Sequence, residues 1–164
     1  MSTAYVVMGV SGCGKSRIGA GFATAIGAQF IDGDSLHPQA NVDKMARGEP
    51  LNDADRHPWL KDVGRHLGPN TVIACSALKR SYRDLIRETA GAPVIMCLLH
   101  GTRAVLWDRV SNRAGHFMPP ALLDSQLATL ELPTSDEPHV IADIGNTPDH
   151  IIKTLIAATK ELAQ

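Results

Sequence analysis

The stretch Gly9-Val10-Ser11-Gly12-Cys13-Gly14-Lys15-Ser16 decides how this chain is read. It matches the pattern G-x-x-x-x-G-K-[ST]. Glycines there let the backbone turn tightly and lay its N–H groups against phosphate oxygens. A helix starting at Lys15 aims its positive dipole end at the same phosphates. Lys15 then reaches the β- and γ-phosphates, and the Ser16 hydroxyl offers an oxygen to Mg²⁺. The rival reading is a chance Gly-rich turn with a solvated lysine. The flanks oppose it: the apolar run Tyr5-Val6-Val7-Met8 precedes the stretch. After it, Ile18, Phe22, Ala25 and Ile26 fall at helical spacing, with Gly27 as a stop. Cys13, inside the loop, reads as a small residue that contributes backbone rather than as a reactive thiol.

Outward from this loop the pattern alternates. Further strands are expected at Gln29-Phe30-Ile31, Thr71 to Cys75, Pro93 to Leu99 and His139 to Ala142. The all-apolar run 93–99 reads as central. Helices are expected over about 39–47, 54–67, 78–89 and 102–113, around Leu122 to Leu130, and from Thr147-Pro148 onward. The last has Thr147 as N-cap and a core face of Ile151, Ile152, Leu155, Ile156 and Leu162. Five apolar strands alternating with helices predict an α/β, three-layer fold with a five-stranded parallel sheet. One domain over 1–164 is expected, with a Pro-containing lobe at about 36–68 beside the sheet.

Composition narrows the function. A chain of 164 residues buries roughly 68–70% of its unfolded surface without disulfide or metal. Lys plus Arg is 16 against 17 for Asp plus Glu, a net charge of −1, which opposes nucleic-acid binding. The three cysteines show neither disulfide nor zinc spacing. No apolar run spans a membrane, and the start lacks a leader pattern. A cytoplasmic protein without membrane partners is expected. The N/T-K-x-D element of GTPases is missing, and Asp136-Glu137 does not end an apolar strand as in AAA-type ATPases. Asp32-Gly33-Asp34 does end a strand, where ligands sit in open parallel sheets. One carboxylate is suited to a Mg²⁺ shell and the other to an acceptor hydroxyl; the alternative is a polar turn capping the next helix.

Longer stretches then become recognisable: Asp32-Gly33-Asp34-Ser35-Leu36-His37-Pro38, Asn41, Lys44-Met45, Gly48, Pro50-Leu51, Asp53, Asp55-Arg56 and Pro58-Trp59-Leu60. Cys75-Ser76-Ala77-Leu78-Lys79, Tyr82-Arg83-Asp84, His116-Phe117-Met118, Ser125-Gln126 and Leu130-Glu131 continue the series. With these the chain resembles the gluconokinases of the P-loop kinase superfamily, over nearly its whole length. Cys13 and Leu127 depart from residues common in that family, at positions where no chemistry is assigned.

The resemblance implies a nucleoside-monophosphate-kinase-like fold and a phosphotransferase with an alcohol group as acceptor. ATP and Mg²⁺ are the implied cofactors and D-gluconate the substrate; a homodimer is compatible with it. Gly9 to Ser16 would bind nucleotide, with Ser16 and Asp32 on the metal. Asp34 is the implied base or hydroxyl orienter, with His37 and Asn41 as hydroxyl partners. Arg56 is the implied carboxylate clamp, because its guanidinium binds a carboxylate bidentately. Lys44, Lys79 and Arg83 are further candidate cations; Arg80 and Arg87 read as a solvated, salt-bridged face with Asp84 and Glu88, and that reading is the alternative for Arg83 too. Trp59 reads as a packing anchor. A lid at about 113–119 would bring Arg113 onto the phosphates, and Arg109 onto the adenine or phosphates. Two rivals remain: a kinase for another polar acceptor such as shikimate or adenylyl sulfate, and a nucleotide-dependent binding module.

Overall fold

A computed structural model describes residues 3–111 and 120–163. Five strands form one sheet: β1 (Ala4–Met8), β2 (Gln29–Asp32), β3 (Thr71–Ala74), β4 (Val94–His100) and β5 (His139–Asp143). Their order is β2-β3-β1-β4-β5 and every pairing is parallel. Tyr5 stands opposite Val72 on one side and Ile95 on the other, so β1 is the middle strand. The apolar run at 93–99 is interior, paired to β1 and β5, one place from the centre.

Successive strand residues point to opposite faces, and here both faces are covered. Val7, Cys97, Leu99 and Ala142 enter the layer of α1 (Lys15–Ile26) and α7 (Pro148–Leu162), with Phe22, Ile151 and Leu155. Val6, Met8, Met96 and Leu98 enter the layer of α3 (Asp53–His66) and α4 (Arg80–Thr89), with Trp59, Val63 and Ile86. That double burial explains the continuous apolar runs. The chain leaves β1 through α1 toward β2 on one side; β4 lies on the other. The reversal opens a crevice beyond the carboxyl end of β1.

Helix ends follow local chemistry. Gly27 stops α1 at φ 72°, a left-handed conformation that favours glycine. Thr147 caps α7 by accepting from the His150 N–H, with Pro148 in the first turn. At α3, Asn52 and Asp55 form a reciprocal capping box, which sets the start at Asp53. Three more helices complete the chain: α2 (Gln39–Ala46), α5 (Arg103–Ser111) and α6 (Pro120–Thr129). Leu162 does not join the core: residues 160–163 at the end of α7 are exposed, and Leu162 is 48% exposed.

Arg83 is also corrected. Rather than facing a substrate, it is fully buried. Its Nε donates to Glu137 Oε1 at 2.5 Å, and Nη1 donates to the carbonyls of Ala77 (3.0 Å) and Leu78 (3.1 Å). Its Nη2 donates to the Glu131 carbonyl at 2.8 Å. Arg87 bonds the same Glu137, and Arg80 pairs with Asp84 and Asp136. The expected salt-bridged face exists, but the segment 131–137 folds over it. Burial pushes the Glu137 carboxyl up, and the bonds from Arg83 and Arg87 outweigh that and hold it below its usual value. Arg83 therefore acts on the loop before α4, where Ala77 sits at φ 45°.

Arg83→Leu leaves the buried Glu137 short of a partner, and is expected to cost about 3–5 kcal/mol in urea unfolding. Nucleotide affinity of the folded protein should stay unchanged. A variant of normal stability with a weakened acceptor site would instead place Arg83 on the substrate.

Candidate active site

The phosphate-binding loop closes the crevice over β1. Gly9, Gly12 and Gly14 have φ of 149°, 83° and 93°, values that exclude most side chains. At Gly9 a Cβ would also lie 2.8 Å from Cys13 Sγ and 2.8 Å from the Leu99 carbonyl oxygen. Cys13 is buried within this loop and its side chain belongs to the core. Burial pushes the Cys75 thiol, just after β3, up to about 12, which removes it as a nucleophile.

A cavity of about 520 Å³ opens in front of the loop. Lys15, Ser16, Asp32, Asp34 and Arg109 all line it, together with Pro148 and Ile151 of α7. The two carboxylates of the Asp32-Gly33-Asp34 turn have separate tasks. Asp32 Oδ1 accepts from the Asp34 N–H at 3.0 Å and so caps the 3-10 turn Gly33–Leu36. Asp32 Oδ2 accepts from Ser16 Oγ at 3.3 Å. Asp32 therefore caps the turn with one oxygen and meets Ser16 with the other. Asp34 is exposed and its carboxylate has no hydrogen-bond partner among the described residues. Among those residues no cluster of three His, Cys, Asp or Glu could hold a metal. Hard oxygens from Ser16 and Asp32 suit Mg²⁺, which binds through one or two protein oxygens plus phosphates and water.

The turn is held from below. Trp59 Nε1 donates to the Gly33 carbonyl at 2.8 Å. At Gly33 a Cβ would lie 2.4 Å from the Ala74 carbonyl oxygen. His37 stacks on Trp59 with ring centroids 4.1 Å apart. Burial pushes the His37 imidazole below its usual value; nearby Arg56 adds to this and Asp34 opposes it. The charges of both Asp34 and Arg56 thus act on His37. Asn41 is 5% exposed; its amide nitrogen donates to the Asp55 carbonyl at 2.9 Å and lies 3.3 Å from His37 Nδ1. It braces His37 and ties α2 to α3.

Beyond His37 two cations meet on one aromatic ring. Arg56 lies 5.6 Å and Lys79 5.5 Å from the Tyr82 centroid. Arg56 Nη1 donates to the Tyr82 hydroxyl at 3.3 Å, and the Tyr82 hydroxyl donates to Asp53. Asp53 lies 3.5 Å from Lys79 and 3.9 Å from Arg56. The Tyr82 bond, then Lys79, hold the Asp53 carboxyl below its usual value. Two positive groups thus share one exposed carboxylate. Lys44, by contrast, is neutralised by Asp55 at 2.7 Å.

Arg109, on α5, donates to the carbonyls of Ile144 and Asn146 beside Pro148. Arg113 and the lid at about 113–119 lie outside the described residues. Sequence reasoning missed Tyr82, Asp53 and Gln126 as site residues. Tyr82 is one helical turn beyond Lys79, and Asp53 one turn before Arg56, a spacing that marks shared faces.

No family model matches the chain. A curated gluconokinase of Gluconobacter oxydans (strain 621H) is 47% identical over 157 residues, covering 92% of this chain and 88% of that protein. The crystal structure of a gluconokinase from Sinorhizobium meliloti 1021 superposes with a TM-score of 0.90 at 46% identity, covering 98% and 93% of the two chains. Shikimate kinase from Bacteroides thetaiotaomicron superposes with a TM-score of 0.71 at 16% identity, over 97% of this chain and 98% of that one, and shares the fold.

Gly33→Ala forces its methyl group toward the Ala74 carbonyl. It is expected to lower stability by about 1–3 kcal/mol, read as the urea midpoint. An unchanged midpoint would mean that β2 can move off β3 freely, and that Gly33 does not set the position of Asp34.

Proposed function

The chain belongs to the gluconokinase family, and from that premise we propose how its residues divide the work. The reaction is the ATP-dependent phosphorylation of D-gluconate to 6-phospho-D-gluconate. The observation that carries the assignment of roles is the Asp34 carboxylate: without a hydrogen-bond partner among the described residues, it lines the same cavity as Lys15 and Ser16.

Backbone N–H groups of Gly12 to Ser16 and the Lys15 ammonium hold the phosphates of ATP. Ser16 and Asp32 would hold Mg²⁺, which supplies charge neutralisation on the β- and γ-oxygens. Asp34 accepts a hydrogen bond from the terminal hydroxyl of gluconate, orients its lone pair toward the γ-phosphorus and takes the proton as the new P–O bond forms, while the bond from the γ-phosphorus to the β,γ-bridging oxygen breaks and its electron pair leaves with ADP. Arg56 and Lys79 grip the substrate carboxylate, replacing Asp53 as their counter-charge. His37 offers a ring nitrogen to a substrate hydroxyl, while Asn41 fixes its orientation. Arg109 flanks the nucleotide side next to Pro148, and Arg113 is assigned to the transferring phosphoryl group from the resemblance. Among the described residues no helix is long and apolar enough to cross a membrane. The three cysteines are all buried, which suits the reducing cytoplasm.

The test is ADP release from Mg-ATP with and without D-gluconate, beside shikimate and adenylyl sulfate. Gluconate alone should stimulate it. Lys15→Ala and Asp34→Ala should each lower kcat by about 10²–10⁴-fold. Arg56→Ala should act chiefly on the KM for gluconate, raising it about ten- to a hundredfold, the worth of a charged hydrogen bond. Stimulation by shikimate or adenylyl sulfate instead would overturn the substrate assignment.

A further inference from the structure

One side chain outside the assigned machinery touches the phosphate-binding loop through two bonds. The Ser11 N–H donates to Gln126 Oε1 at 2.6 Å, and Gln126 Nε2 donates to Ser11 Oγ at 3.0 Å. The two residues are 115 positions apart in sequence. A single primary amide serves both a backbone donor and a hydroxyl acceptor. Among side chains only an amide combines a carbonyl acceptor with N–H donors in that way, and only glutamine has this reach.

The segment after Gln126 continues to the other half of the site. The Glu131 N–H donates to the Leu78 carbonyl at 2.8 Å, and Glu131 Oε1 accepts from the Arg80 N–H at 2.8 Å. The six residues from Gln126 to Glu131 thus grip the phosphate-binding loop at one end. At the other they grip the loop carrying Lys79.

We propose that Gln126 is a positioning residue for the nucleotide: it fixes the front arm of the phosphate-binding loop in its binding shape before ATP arrives. With Ser11 held internally, the loop can present the N–H groups of Gly12 to Ser16 without first being ordered by the ligand. Preorganisation of this kind lowers the entropic cost of binding and of reaching the reactive geometry. The inference rests on reading residues 9–16 as the nucleotide site and is independent of the acceptor.

The experiment compares the full-length protein with Gln126→Met, Ser11→Ala and the double variant. Methionine keeps the volume and removes both bonds. Ser11→Ala removes the hydroxyl contact and keeps the N–H bond. Readouts are MgADP affinity by calorimetry, kcat/KM for ATP, KM for gluconate and the melting temperature. Gln126→Met should weaken MgADP binding about five- to twentyfold, lower kcat/KM for ATP in parallel and leave the KM for gluconate within about twofold. Ser11→Ala should show a smaller loss of the same kind, and the double variant should be no worse than Gln126→Met.

MgADP affinity within about twofold of wild type in Gln126→Met overturns the proposal. An equal loss for both substrates that tracks a lowered melting temperature also overturns it, in favour of a purely structural contact. Should Gln126→Met fail to fold, a Ser11→Ala protein indistinguishable from wild type in MgADP affinity overturns it. A wild type that binds MgADP but ignores gluconate sinks the acceptor assignment, while the MgADP comparison still decides the role of Gln126.

Discussion

The hydrogen bond from the Trp59 indole to the Gly33 carbonyl holds the acceptor side of this molecule together. It joins α3 to the turn after β2, at a point where β3 comes so close that only glycine fits. From that joint the rest follows by geometry. Asp32 is turned toward Ser16, Asp34 is left facing the cavity, and His37 is laid flat on the indole. A buried indole N–H needs an acceptor, and here its acceptor is the peptide between the two functional carboxylates. Packing and chemistry thus share one bond.

Electrostatics separates the cations that build from those that bind. Arg83 has its donors satisfied inside the protein, and Arg80 and Arg87 lie in the same ion-pair cluster. Lys44 has a carboxylate of its own. Arg56 and Lys79 share the exposed Asp53 and rest on the apolar face of Tyr82. Around that one carboxylate the positive charge is in excess and already positioned, the feature on which the proposed clamp for a substrate carboxylate rests. An incomplete counter-charge, more than the count of basic residues, marks where an anion belongs.

The sheet was legible because periodicity is a property of neighbours in sequence. Runs such as Val6-Val7-Met8 and 93–99 show burial on both faces, and Gly27 and Thr147 show where helices end. The phosphate loop and the Asp32-Gly33-Asp34 turn were legible for the same reason: their chemistry is local. Arg83 was not. Its spacing with Asp84 and Arg87 looks like a solvated helix face, and its true partner Glu137 lies 54 positions away. Gln126 escaped as a site residue for the same reason, since its contact with Ser11 spans 115 positions. Leu162 follows the helical period of its core neighbours, but period alone does not reveal that the end of a helix is exposed.

The strand order also governs how the molecule is born. β1 precedes the other four strands in sequence yet occupies the middle of the sheet, bonded to β3 on one side and β4 on the other. Neither neighbour exists until residues 71–74 and then 94–100 have been made. The apolar strand β1 must therefore wait, unpaired, until β3 has been made, during which its edges can pair wrongly. The loop after β1 is bonded to Ser76 and to Gln126, so its shape too depends on residues made much later.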